Sequence, residues 1–121
     1  PGRPTGFVPP AWLRNDALDA VLRERGFLWT EDHHGIRFAD GTRIASPVIS
    51  WASRDAFRRV ASRFVCPSLE RLWRGRETLR IALHPHDFDW PALERSIDAV
   101  LARAARRGSW SEPRLLAPTR S

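Results

Sequence analysis

No lysine, methionine or tyrosine occurs among the 121 residues, and cysteine occurs once, at Cys66. One thiol permits no internal disulfide and leaves no cysteine pair to hold a structural zinc. No run approaches the roughly 20 apolar residues that a membrane-spanning helix requires, and no signal peptide is recognisable. There is no internal repeat and no low-complexity stretch. A phosphate-cradling glycine loop is missing, as is any nucleophilic serine motif with histidine and aspartate partners. Disulfide scaffolds, cysteine-zinc modules, P-loop enzymes and serine hydrolases are therefore set aside. The opening "PGRPTG", with no methionine anywhere, reads as part of a longer chain, so function is expected to draw on residues outside it.

What is present is an arginine-rich globular composition. All 20 basic residues are arginine against 14 acids, a formal charge of +6, with 42% hydrophobic and 28% charged residues. That balance suits one small domain with a modest core rather than a disordered chain. Arginine grips phosphate bidentately, which raises nucleic acid as a partner. The arginines are interleaved with acids and no nucleic-acid motif appears, so they read as an ordinary solvated surface. Cys66 precedes Pro67 at an apolar helix end and is expected to be buried or half-buried.

Three helices are legible. The first spans about Asp16 to Arg25, with Asn15 as N-cap, an apolar face of Leu18, Val21 and Leu22, and a stop at Gly26 that folds Phe27 back onto Leu22. The second starts after Ser53, with Phe57, Val60, Ala61, Phe64 and Val65 at helical spacing. Cys66-Pro67 is expected to end it, with Ser68 capping a short continuation through Leu72. The third opens at Pro91, carries the stripe Leu93, Ile97, Val100, Leu101 and Ala104, and closes at Gly108. Between them, "IRFADGTRI" predicts a hairpin with Asp40-Gly41 as a two-residue turn. "SPVISW" and "LRIALH" have the length and character of strands. The alternation predicts an α/β architecture with mainly parallel strands over residues 1–108 and a loosely ordered tail over 109–121.

In such folds chemistry gathers at the carboxyl ends of the strands. Here those junctions are "GFVPPAWL", "VISWASR" and "ALHPHDFDW", which supply Pro9, Pro10, Trp12, Trp51, Arg54, His84 and Asp87. An imidazole at a strand end, as at His84, suits proton transfer near neutral pH, or else caps the loop that follows. Asp87 either accepts from a histidine ring and fixes its tautomer or caps the loop backbone. Trp12 and Trp51 are each either an apolar wall for a sugar or acyl group or a core plug. Arg54, read as lying in a first helical turn where a cation opposes the helix dipole, calls for a partner carboxylate. His33-His34 reads as a solvated loop, and His84, His86, Asp87 and Asp89 fall short of a complete metal site.

"GFVPPAWL", a helix ending "RERGFLW", then "SPVISWASRDAFRR" and "LRIALHPHDF" together resemble the C-terminal half of a bacterial branch of the polysaccharide deacetylase family. The resemblance covers roughly residues 6–107. It implies the C-terminal portion of a deformed (β/α) barrel with a small β-hairpin insertion. The implied activity is metal-dependent removal of acyl groups from a carbohydrate substrate. The divalent metal, commonly zinc, is held in the family by an Asp and a His-x-x-x-His pair that this chain lacks. The implied partner is thus the missing N-terminal half of the same barrel, and this chain alone is expected to bind no metal and be inactive. Leu83-His84 matches the late Leu-His motif, which makes His84 the general acid for the leaving group. Pro9-Pro10 matches the proline loop flanking the site. The family's arginine before those prolines is Val8 here, and Arg54 is a candidate to orient a carboxylate in its place. The alternative reading is a non-catalytic module or pseudoenzyme that binds an acidic glycan or nucleic acid.

Overall fold

The computed structural model describes residues 2–116, and the expected tail beyond residue 116 lies outside the described residues. Two compact units emerge, one through Pro47 together with the residues from Ser111, the other Val48–Trp110. The boundary falls within the stretch 1–108 that the sequence presents as one piece.

In the first unit, β1 (Gly6–Phe7) leads through a turn at Pro10–Trp12 into α1 (Asp16–Glu24) and returns as β2 (Trp29–Glu31). β1 and β2 pair in parallel, Gly6 beside Trp29 and Phe7 beside Thr30. The helix ends are as the sequence predicts. Asn15 Oδ1 accepts from the Leu18 N–H at 2.8 Å. At the other end Gly26 adopts φ +76°, and Phe27 N–H reaches back to Leu22 O at 2.9 Å, closing the last turn over the buried Leu22. Next, β3 (Gly35–Phe38) and β4 (Arg43–Ala45) add antiparallel, giving the order β1-β2-β3-β4. Asp32 organises the β2–β3 turn, accepting from His34 N–H (2.8 Å), Gly35 N–H (3.1 Å) and Arg37 Nε (2.8 Å). Gly35 is required because a Cβ there would collide with the Ile44 carbonyl.

The β3–β4 turn is longer than the predicted two residues. Phe38 N–H donates to Thr42 O across it, Gly41 alone adopts positive φ, and Asp40 Oδ1 accepts from Thr42 N–H at 2.9 Å. Asp40 uses its side chain to close the turn, so it need not enter the left-handed region that a two-residue turn demands.

The second unit is built from β5 (Val48–Ser50), α2 (Ala56–Leu72), β6 (Arg80–Ala82), a turn at Pro85–Asp89 and α3 (Pro91–Arg107). β5 and β6 are parallel, with Ile49 beside Ile81 and Ser50 beside Ala82. Among the described residues, both parallel pairs therefore join strands linked through a helix, while the antiparallel pairs belong to the β2–β4 meander. Buried Ile49, Trp51, Cys66, Leu93, Ile97 and Val100 form the core, with Leu69, Trp73, Leu79, Ile81 and Leu101 packed around it. The α3 stripe thus faces inward, as its spacing predicts.

α2 departs from the sequence reading in three ways. It starts two residues later than expected, at Ala56 rather than Arg54, because Asp55 Oδ1 caps the Arg58 N–H at 2.8 Å. It also runs straight through Pro67. A proline there leaves the Arg63 carbonyl without its helical donor, and the Ser96 hydroxyl from α3 lies 3.5 Å from that oxygen. Ser68 turns back to Phe64 O at 2.8 Å instead of capping a new helix. Finally, the apolar stripe faces outward: Phe57 is 83% exposed, Val60 53% and Phe64 67%, while Ser62, Cys66 and Glu70 lie inside. Each inward polar group has partners that hold this rotation. Ser62 Oγ accepts from Ala52 N–H and donates to Arg58 O, and Glu70 receives Arg103 and Arg107 of α3.

Candidate functional site

β6 delivers His84 to the same edge at which β5 delivers Trp51, the carboxyl ends of two adjacent parallel strands. Open α/β sheets place ligands at such edges. His84 is exposed. Asp87, fully buried, accepts the His84 backbone N–H at 2.9 Å on Oδ2, and its own N–H donates to His84 O at 2.9 Å. Of the two roles open to Asp87, these bonds show capping of the backbone. They fix the main chain on both sides of the histidine and leave the ring outside. Asp87 Oδ1 has no partner among the described residues. His86 and Asp89 pair at 3.0 Å on the surface.

Beneath this turn lies Cys66. Its thiol donates to Ser50 O at 3.5 Å, and burial, reinforced by the Asp87 carboxylate, pushes its pKa up to about 11. It remains a protonated thiol at neutral pH, unsuited to nucleophilic attack or metal binding. Trp51 is 3% exposed. Its Nε1 donates to Ser96 Oγ at 3.2 Å, the same hydroxyl that faces the carbonyl opened by Pro67. Of the two roles open to Trp51, the contacts are those of a core plug, supporting the edge from below. Arg54 is exposed and precedes the Asp55 cap, not in the first helical turn as expected. Because Asp55 supplies the cap, Arg54 lies outside the helix, and the dipole argument for a partner carboxylate falls away.

The proline loop follows β1 in the first unit. Pro9 is buried and Pro10 exposed. Trp12 N–H donates to Pro9 O at 2.9 Å and Leu13 N–H to Pro10 O at 3.1 Å. Ala11 and Trp12 both adopt positive φ, 52° and 54°, a conformation that costs a non-glycine residue about 1–2 kcal/mol. Strain of this kind persists only where surrounding structure enforces it. The Trp12 ring lies against His33 with centroids 5.4 Å apart, and its Nε1 is buried without an acceptor among the described residues. His33 is exposed, yet its ring contact is invisible in a sequence that offers only a polar loop. Pro9, Pro10 and Trp12 thus belong to one unit, and Trp51, Arg54, His84 and Asp87 to the other.

Among the described residues, no three His, Cys, Asp or Glu side chains converge to hold a metal ion, and no helix is long and apolar enough to cross a membrane. Comparison with protein-family models, with curated proteins and with solved structures returns no match.

Proposed function

We propose that this chain is the C-terminal portion of a barrel-type carbohydrate deacetylase, in which His84 delivers the proton that the departing amine or alcohol of the sugar needs. The observation that carries this reading is the exposed His84 at the carboxyl edge of the parallel β5–β6 pair, its backbone clamped by the buried Asp87. A proton donor must be accessible, and a fixed backbone narrows where its ring can reach; the exposed His84 on its clamped main chain meets both conditions. The strained Pro9–Trp12 loop, following another parallel strand, supports the same reading as a second loop shaped for a purpose beyond packing. Among the described residues no three ligating side chains converge, and the role of His84 is argued without the divalent ion, zinc by resemblance, that the family uses.

The test uses the full-length protein and a panel of acetylated sugars. His84→Ala is expected to lower kcat by about 10²–10⁴-fold with KM nearly unchanged, and to remove one limb of the pH–rate profile. Unchanged kcat would defeat the assignment. The rival reading, a non-catalytic binder of acidic glycan or nucleic acid, predicts instead steeply salt-dependent polyanion binding that His84→Ala leaves intact.

A further inference from the structure

A helix on the surface of a folded unit ordinarily turns its apolar stripe inward. α2 does the reverse. Phe57, Val60, Phe64 and Leu72 stand exposed along its outer side, with the half-buried Ala61 between them, and the α2 side chains that join the core are instead Cys66 and Leu69. At 1.5 Å per helical residue the stripe from Phe57 to Leu72 is about 22 Å long. Contiguous exposed apolar side chains on one face mark an interaction surface.

The free charge around this stripe is of one sign. Glu70, the acid within α2, is buried and held by Arg103 and Arg107. Arg58 is paired with Asp55 at 3.2 Å, and the Arg59 guanidinium lies 3.8 Å from the centroid of the Trp90 ring. Arg54, Arg63 and Arg71 are exposed and make no ion pair among the described residues. The Arg63 guanidinium is 5.9 Å from the centroid of the Phe64 ring, at the edge of the stripe. Arg71 follows Phe64 by seven residues, as Phe64 follows Phe57, so the three fall close to one line along the helix.

We infer that this face of α2 docks an amphipathic helix of a partner protein whose apolar stripe is bordered by aspartate or glutamate. A seven-residue recurrence is the repeat by which two helices pack side by side, and unpaired guanidiniums grip carboxylates through paired bonds. A second copy of this chain presents the same cations and would set arginine against arginine. An anionic bilayer satisfies cations beside an apolar stripe but not one on its line, since inserting Phe64 would carry Arg71 towards hydrocarbon.

Fluorescence anisotropy tests this with the full chain and a labelled synthetic helix of about three heptads, leucine along its seam and glutamate on both borders. Saturable binding is expected, about tenfold or more tighter than for the same helix bordered by lysine, and weakening as salt rises. Phe64→Ser and Arg71→Glu are each expected to weaken it about tenfold. Both positions are exposed on the helix, so each variant keeps its circular dichroism, and either one alone suffices for the test. Absence of binding, equal affinity for the lysine-bordered helix, or unchanged affinity in both variants overturns the inference. Tighter binding to phosphatidylglycerol–phosphatidylcholine vesicles than to the acidic helix also overturns it, in favour of a membrane surface. A dimer in sedimentation equilibrium that Phe64→Ser dissociates overturns it in favour of a second copy.

Discussion

Removing the Glu70 carboxylate tests what orients α2. Glu70 is 1% exposed on the inner face of the helix. Arg103 Nε donates to it at 2.7 Å, and Arg107 Nη1 donates to its other oxygen. The two arginines lie four residues apart on α3 and so share one face of it. Each charge-assisted bond contributes about 1.5–3 kcal/mol before discounting. The arginine side chains retain 20% and 39% exposure, so once freed they regain part of their hydration. That lowers the cost below the 3–5 kcal/mol typical of breaking a fully buried pair. Glu70→Ala should therefore destabilise the second unit by about 2–3 kcal/mol. Urea unfolding followed by tryptophan fluorescence measures this, since Trp51 and Trp73 belong to that unit's core. Because the carboxylate is shielded from solvent, most of the loss should persist in about 1 M salt. A loss under about 0.5 kcal/mol, or one that vanishes in high salt, would reduce the clamp to an ordinary surface pair and refute the reasoning.

Phe57→Ser and Phe64→Ser should each change stability by less than about 0.5 kcal/mol, as surface substitutions do, whereas Ile97→Ala, at a fully buried site, should cost about 2–5 kcal/mol; the same urea titration compares them. Burial acts to raise the Asp32 carboxyl pKa, but the Arg37 guanidinium and the His34 and Gly35 N–H groups outweigh it and hold the value below the usual range. A depressed folded pKa stabilises above the unfolded value, about 4, and that contribution disappears as pH falls through the folded value. Acid unfolding should thus show a loss of stability below about pH 4 that Asp32→Asn reduces; an identical acid profile in the variant would contradict the assignment.

Local signals suffice where one residue or one turn decides the outcome. Asn15, Gly26 and Phe27 specify both ends of α1 through contacts within six residues. The α3 stripe recurs at helical spacing and faces the core, with Ser96 and Arg103 bonded to buried partners beside it rather than displacing it. The junction carrying His84 was legible for a similar reason, since a short apolar strand running into a proline turn sets its own exit. The turn at Asp40-Gly41 was recognisable, though its length was not, because Asp40 closes it with its side chain.

The rotation of α2 was not legible. Hydrophobic periodicity alone turns Phe57, Val60 and Phe64 inward, and the outcome is reversed by partners far away in sequence: Ser50 O for Cys66, the Ala52 N–H for Ser62, and Arg103 and Arg107 for Glu70. Pro67 breaks a helix on local rules, yet the helix continues, and the stranded Arg63 carbonyl faces a hydroxyl 33 residues on. The contact of His33 with Trp12 likewise arises only when separate segments meet. By itself the sequence determined where helices and turns begin, because caps and glycines act within a few residues of backbone. Which face of a helix is buried, and which polar groups find partners, only the tertiary structure decided, because those choices depend on groups that folding alone brings within hydrogen-bond reach.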